Sequence, residues 1–416
     1  MSLSLPASFL WGVSTAGHQI DGGDTTSDTS FLENVSPTVF AEPSGAACRS
    51  WERWADDLDL VAAMGLNAYR FSVEWSRIEP VQGEILTEGL DHYDSMVDGC
   101  LERGIAPAVT LGHFTAPQWF GARGGWLAPD AAERFAEHAA RVMARIGDRT
   151  SLVVTLNEPN LPATLIWGGL PEPVIEMQRQ TLVAASQAAG VERFRAANVV
   201  VPEELEAIEA GLDRGHRLAR EAVRAVAPGV PVGLSLAVID DVALDAEGAV
   251  LRDRKREACY AKWTDTVQGD DFIGVQNYER LGHDAQGLVH GESEITNQMG
   301  TAVEPASLGE SVRYVHALTD LPIIVSEHGI ATEDDTLREA FIEPSLAGLD
   351  EARADGVPVL GYFHWTLMDN FEWIFGYRFQ LGLHSVDRET GERTAKPSAA
   401  AYAAAVRARR EVAVTV

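Results

Sequence analysis

Ser151-Leu152-Val153-Val154-Thr155-Leu156-Asn157-Glu158-Pro159 is a short apolar run, rich in β-branched residues, that stops abruptly on Asn-Glu-Pro. A run of this length and composition reads as a strand buried on both faces. The stretch before it, Ala131–Ile146, has the apolar spacing of an amphipathic helix. Working outward, the same alternation recurs along the chain. The candidate strands are Phe9–Val13, Ala68–Val73, Ile105–Leu111, Ser151–Leu156, Val230–Leu236, Phe272–Val275, Ile323–Ser326 and Val359–Trp365. Between them lie amphipathic stretches at Trp51–Met64, Asp91–Arg103, Ala131–Ile146, Glu203–Val226, Leu308–Leu318 and Leu337–Ala354, and the Ala-rich Ser398–Arg410 follows the last strand.

Two-sided apolar strands alternating with helices imply parallel pairing under a helical cover. Eight such units with no Pro/Ser/Gly linker predict an α/β fold, one (β/α)8 TIM barrel spanning residues 1–416 as a single domain. An open doubly wound sheet would want a phosphate-cradling loop after the first strand, and Gly12, Gly17, Gly22 and Gly23 do not form GxGxxG. Ala184–Asp213 predicts extra helix in the loop after the fourth strand. Glu279–Gly309, rich in Gly, Glu and Gln, predicts a long irregular loop. Both elaborated loops follow strands, which puts them on the C-terminal face where barrels carry their catalysts.

Composition narrows the partners. A formal charge of −29 argues against nucleic acid, whose phosphates need clustered Lys and Arg. Three scattered cysteines, Cys48, Cys100 and Cys259, form neither a disulfide framework nor a zinc-ligand spacing. No His/carboxylate cluster has metal-ligand spacing, so no metal or cofactor is expected. MSLSLPASFLWG has no basic start or long apolar core, and no run approaches a membrane span. The expectation is a cytoplasmic protein off the membrane, acting on a small molecule; a homo-oligomer is compatible with everything read so far.

Two carboxylates stand where a barrel places its chemistry. Glu158 follows the fourth strand and Glu327 follows the seventh, in Ser326-Glu327-His328-Gly329. Strands four and seven lie across the mouth from one another, so the pair can converge. Glycosidic bond cleavage needs two carboxyls flanking the anomeric carbon.

Five ordered blocks then carry a resemblance. They are Phe9-Leu10-Trp11-Gly12-Val13-Ser14-Thr15-Ala16 with Gln19; Asn67-Ala68-Tyr69-Arg70-Phe71-Ser72 with Glu74-Trp75-Ser76-Arg77; Thr155-Leu156-Asn157-Glu158-Pro159; Ser326-Glu327-His328-Gly329; and Trp365-Thr366-Leu367-Met368-Asp369-Asn370-Phe371-Glu372-Trp373. Over nearly its full length the chain resembles glycoside hydrolase family 1, the β-glucosidase family. The resemblance implies an exo-acting retaining β-glycosidase, hydrolysing β-glucosides above all, with β-galactosides and β-fucosides as further substrates. It implies Glu327 as nucleophile and Glu158 as acid/base, with Arg70 keeping Glu327 ionised, Tyr278 hydrogen-bonding it, and Asn157 holding the sugar 2-hydroxyl. By the same analogy Gln19, His113, Gln276, Glu372 and Trp373 bind the remaining hydroxyls, and Trp365 forms the platform beneath the ring. Relatives that cleave 6-phosphorylated sugars carry Ser where this chain has Glu372, and a carboxylate there repels phosphate.

Several positions depart from the commonest family pattern. Phe114-Thr115 replaces Trp-Asp after His113; His18 replaces an aromatic, Asp21 a Glu, Gln276 an Asn and His328 an Asn. Thr301 replaces a Trp that forms a leaving-group platform, so the leaving-group site is expected either to be wider or to be built from Trp119, Trp126 or Trp167. Weak affinity for oligosaccharides relative to aryl glycosides follows from the loss of that stacking face. Two other readings share the residues: a transglycosylase using the same covalent intermediate, and a sugar-binding barrel without catalysis.

Overall fold

The computed structural model describes residues 8–289 and 295–414. Eight strands, β1 (Leu10–Ser14), β2 (Ala68–Ser72), β3 (Ala106–Gly112), β4 (Leu152–Asn157), β5 (Val232–Ala237), β6 (Ile273–Asn277), β7 (Ile323–His328) and β8 (Val359–Trp365), pair with their sequence neighbours and close into a barrel. All eight pairings are parallel; β1 meets β8 from Leu10 opposite Gly361 to Ser14 opposite Trp365. Closure leaves no sheet edge to satisfy.

The strands are buried on both faces, as their continuous apolar runs require. Leu10, Ala68, Ala108, Leu152, Val154, Phe272, Ile324 and Phe363 pack into one cluster. Val13, Val109, Val153, Val275 and Val325 join a larger one that includes the surrounding helices. Gly12 shows how tight the interior is: a Cβ there would lie 2.6 Å from the Ala68 carbonyl oxygen and 2.7 Å from the Phe363 ring.

Each sequence-predicted strand falls within two residues of its observed position, and the helix Ala131–Ile146 coincides with the expectation. Two segments differ. The extra helix expected over Ala184–Asp213 is present with different bounds, as helices Glu172–Ala189 and Leu205–Val226 with non-helical chain between them. The break begins at Gly190, whose φ of +67° forms the left-handed cap that ends the first helix. The loop after β6 is not irregular throughout. Arg280–Asp284 and Gly287–Val289 form a hairpin whose first strand pairs with Asp240–Ala243 from the loop after β5. A buried hub holds this layer: Asp241 accepts from Lys255 Nζ at 2.5 Å and bonds His283 Nε2 at 2.8 Å. Residues 290–294 of this loop, and residues 1–7 on which the reading of the N-terminus rests, lie outside the described residues.

Two strands carry an extra residue near their C-terminal ends. β4 advances three residues, Val154 to Asn157, while β5 advances two, Gly233 to Ser235. β7 advances from Val325 to Glu327 against Val275 to Gln276 on β6, and from Val325 to His328 against Tyr362 to His364 on β8. Such bulges re-aim a side chain without breaking the sheet. Both occur beside the carboxylates singled out above.

Among the described residues, no helix is long and apolar enough to cross a membrane. All three cysteines are buried and unpaired.

Candidate active site

The site forms where the C-terminal ends of the strands meet. Asn157 is the last residue of β4, and Glu158 follows it with φ +44°. Of six non-glycine residues with positive φ in the described chain, Phe114, Glu158 and Trp373 are all here. Each such conformation costs about 1–3 kcal/mol and persists only where its surroundings over-determine it.

Arg70, fully buried on β2, organises the floor. Its Nη1 donates to Glu327 Oε1 at 2.6 Å and to Ser14 Oγ at 2.8 Å, while its Nη2 donates to Asn157 Oδ1 at 2.6 Å. Tyr278 donates its hydroxyl to the other oxygen, Glu327 Oε2, at 2.7 Å. Gln276 Nε2 donates to Asn157 Oδ1 at 2.7 Å, so two donors orient that amide and turn its NH2 the other way. At the opposite wall Gln19 Nε2 donates to the Phe371 carbonyl at 2.7 Å and lies 3.3 Å from Glu372 Oε2.

An aromatic stack closes the remaining side. The His113 ring lies nearly parallel to Trp365 and Trp373, with centroids 5.9 and 6.0 Å away, and Phe114 meets Trp373 edge-on. His18 stacks on Trp373 at 5.8 Å and bonds buried Glu33 at 2.7 Å, so this His keeps the stacking role of the aromatic it replaces. Glu33 was not foreseeable: it ends the short helix Asp28–Glu33, fifteen residues away, and only the fold brings it under His18. Glu74 was also missed. It is buried, accepts from Ser72 Oγ at 2.8 Å and from Thr115 Oγ1 at 2.5 Å, and so explains why a hydroxyl suits position 115.

Among the side chains expected to bind sugar hydroxyls, four buried polar atoms find no protein partner: Gln19 Oε1, His113 Nδ1, Asn157 Nδ2 and Gln276 Oε1; His18 Nδ1 and Arg70 Nε are also unpartnered. An unpaired buried polar group costs about 1–3 kcal/mol, and a polyhydroxylated ring supplies donors and acceptors in that pattern. The recess behind Glu158, lined by Trp75, Phe114, Thr115 and Trp126, encloses only about 20 Å³. That is room for one water, so a sugar has to approach from the open side.

The two carboxylates share burial and differ in company. Burial pushes the Glu158 pKa well above the carboxylate range, and the charges of Glu327 and Glu372 add to it; Arg70 alone opposes. Burial also raises Glu327, against which Arg70, Tyr278 and Gln276 pull down together. Arg70 therefore favours an ionised Glu327 as expected, but it works against burial and does not act alone. Glu372 is pushed up to about 8, by burial first and by Glu327 second. Burial, with Arg70 beside it, drives His113 far down and keeps the ring neutral.

The expected leaving-group wall needs correction. Trp126 is buried core, packed edge-on against Phe120 and Phe135. Trp119 is half-buried against Trp75 and donates to the Glu79 carbonyl. Of the three only Trp167 is exposed, at 40%. The Thr301 hydroxyl oxygen accepts from Asn297 Nδ2 at 2.7 Å.

Comparison with known proteins agrees with this geometry. The family model for glycosyl hydrolase family 1 matches residues 1–195 and 244–411. A bifunctional β-D-glucosidase/β-D-fucosidase of Bifidobacterium breve is 32% identical over 96% of this chain and 97% of its own. A β-glucosidase of an Agrobacterium species is 32% identical over 97% and 95%. The apo structure of a β-glucosidase superposes with a TM-score of 0.91 at 37% identity, covering 96% of this chain and 98% of the other. Barrel, sequence blocks and near-complete coverage agree: the chain belongs to glycosyl hydrolase family 1, and it is a retaining β-glycosidase.

Proposed function

We propose that Glu327 is the nucleophile and Glu158 the acid/base, and that β-glucosides are the principal substrates, with β-fucosides and β-galactosides after them. The observation that carries the role assignment is the unequal company of two buried carboxylates. Glu327, held by Arg70 and Tyr278, ionises first. Glu158, next to that charge, keeps its proton.

The reaction then follows from the charges. Glu327 forms a bond to the anomeric carbon as the glycosidic C–O bond breaks, and the Glu158 proton goes to the departing oxygen. Esterified Glu327 no longer carries charge, so Glu158, now ionised, becomes a base of ordinary strength. It takes a proton from water as that water attacks the anomeric carbon, and Glu327 leaves as carboxylate. Asn157 offers its free Nδ2–H to the 2-hydroxyl, a contact that strengthens in the transition state. Gln19, His113, Gln276, Glu372 and Trp373 bind the other hydroxyls, and Trp365 lies beneath the ring.

Glu372 disfavours 6-phosphorylated sugars, and Thr301 disfavours long oligosaccharides relative to aryl glycosides. The whole chain acts as one catalytic unit, and its three buried free thiols fit a reducing cytoplasm.

The test is kcat/KM on p-nitrophenyl β-glucoside, fucoside, galactoside, xyloside and mannoside, followed by trapping with a 2-deoxy-2-fluoro-glucoside. The expected result is turnover led by the glucoside and a covalent label on a Glu327 peptide. Label on another carboxylate would overturn the role assignment, and a mannoside or xyloside in first place would overturn the substrate ranking.

A further inference from the structure

Behind each bulge, on the side of the barrel wall away from the substrate, lies a buried histidine relay that the chemistry above does not use. On β4, Thr155 Oγ1 bonds His216 Nδ1 at 2.7 Å and lies 3.3 Å from the Gly233 carbonyl of β5. His216 Nε2 bonds Asp270 Oδ1 at 3.1 Å, and Arg220 Nη1 donates to the same oxygen at 2.5 Å. Thr155 and His216 are wholly inaccessible, and Asp270 and Arg220 are buried. The sequence of hydroxyl, imidazole and carboxylate is that of a hydrolytic triad. No substrate can reach this one, so its work is mechanical.

The relay occupies the place where mechanical work is needed. Thr155 is inside the stretch where β4 gains its extra residue, between Val154 and Asn157, and Glu158 comes three residues later. The tautomer with its proton on His216 Nε2 donates to Asp270 Oδ1 and accepts the Thr155 hydroxyl at Nδ1. The bulge is thus tied through one rigid ring to the helix Leu205–Val226 and to Asp270 just before β6. A bulge leaves its extra residue without a ladder partner, so its local conformation depends on side-chain contacts such as these. His216 and Arg220 also fall in 196–243, between the two stretches that match the family model.

We propose that Thr155, His216 and Asp270 are positioning residues that hold the β4 bulge and thereby aim Glu158. This rests on the reading of Glu158 as acid/base. The bulge on β7 has a separate holder: His328 Nδ1 bonds Tyr362 OH at 2.9 Å, and the same hydroxyl lies 3.2 Å from His364 Nδ1. One hydroxyl proton serves only one of those rings, so the other ring donates from its own Nδ1. His328 adjoins Glu327, so the two relays act on different carboxylates and leave different kinetic signatures.

The experiment compares Thr155→Val, Thr155→Ser, His216→Gln, His328→Asn and Glu158→Ala on 2,4-dinitrophenyl and methyl β-glucosides, with Tm recorded for each. A displaced acid hurts only substrates that need protonation. Thr155→Val and His216→Gln are expected to lose about tenfold or more in kcat/KM on the methyl glucoside and about twofold or less on the dinitrophenyl one. Thr155→Ser, which keeps the hydroxyl, restores most of the loss. His328→Asn lowers both substrates by one common factor. Equal losses on the two substrates for both Thr155→Val and His216→Gln, or Thr155→Ser as impaired as Thr155→Val, would overturn the relay. If Thr155→Val fails to fold, His216→Gln carries the same comparison. Glu158→Ala is the reference: if it too fails to discriminate leaving groups, the acid/base reading has failed, whereas discrimination by Glu158→Ala alone refutes the relay.

Discussion

The ends of β4 and β7 are built alike and charged differently. Each gains one residue in a bulge, each presents a buried glutamate, and each is backed by a histidine on its outer side. Glu327 receives a guanidinium on one oxygen and a phenol on the other. The Glu158 carboxylate receives no comparable donor among the described residues and faces the Glu327 charge, to which Glu372 adds once it ionises. Geometry alone makes the two residues nearly interchangeable. On the roles proposed above, the difference in function comes from three side chains, Arg70, Tyr278 and Gln276, that favour the Glu327 anion. A single neighbouring charge displaced by a few ångströms is enough to separate an acid from a nucleophile.

That contrast can be broken at its strongest point first. Glu327→Gln removes the group that forms the bond, and turnover should fall roughly a hundred-thousand-fold on every substrate. Residual activity that varied with leaving group would mean the nucleophile lies elsewhere. Glu158→Ala should be selective. Its kcat/KM loss should be about 10²–10⁴ on alkyl glucosides and small on 2,4-dinitrophenyl glucoside, with azide restoring turnover and yielding the β-glycosyl azide.

Smaller perturbations sharpen the contrast. Tyr278→Phe deletes one hydrogen bond to a carboxylate, about 1.5–3 kcal/mol, and should lower kcat/KM roughly 10- to 150-fold irrespective of leaving group. In folded Glu327→Gln the Glu158 titration, read by carbon NMR of the labelled carboxyl, should move to lower pH, because the neighbouring negative charge has gone. No movement would show that burial alone sets Glu158.

The smallest effect concerns stability. Glu372 has a pKa near 8 in the folded protein against an ordinary value of 4.5, so between those values the folded state binds more protons than the unfolded one. Stability contributed by this group is therefore fully present below about pH 4.5 and is lost as pH rises toward 8. Glu372→Gln keeps an oxygen for Gln19 and carries no charge. Its Tm relative to the parent should be more favourable at pH 8 than at pH 5, and a constant Tm difference would contradict the shift.

How much of this was readable beforehand differs between elements. The eight strands were, because strands buried on two faces need unbroken apolar runs, and those runs end where the polar mouth begins. The bounds of the helix ending at Gly190 were not, since apolar spacing continues past it while the chain turns through the left-handed glycine, the Ala196–Val199 bridge and Pro202 before the next helix begins. The hairpin Arg280–Val289 escaped because its strands are short and polar, and what stabilises them is a partner forty residues earlier and the buried Asp241 hub. Trp126 was misplaced because a tryptophan in a loop that follows a strand looks the same from the sequence whether it faces core or solvent, and the short turn Gly125–Leu127 packs this one on Phe120 and Phe135.

The sequence by itself determined the barrel and the family and singled out Glu158 and Glu327 as candidates: all depend on local pattern, on residue type and on position relative to strand ends. Only the tertiary structure decided which contacts tell those carboxylates apart, and where the bulges and their buried relays lie. Those depend on distances between residues such as Arg70 and Glu327, 257 positions apart, and no local pattern encodes such a distance until the sheet has closed.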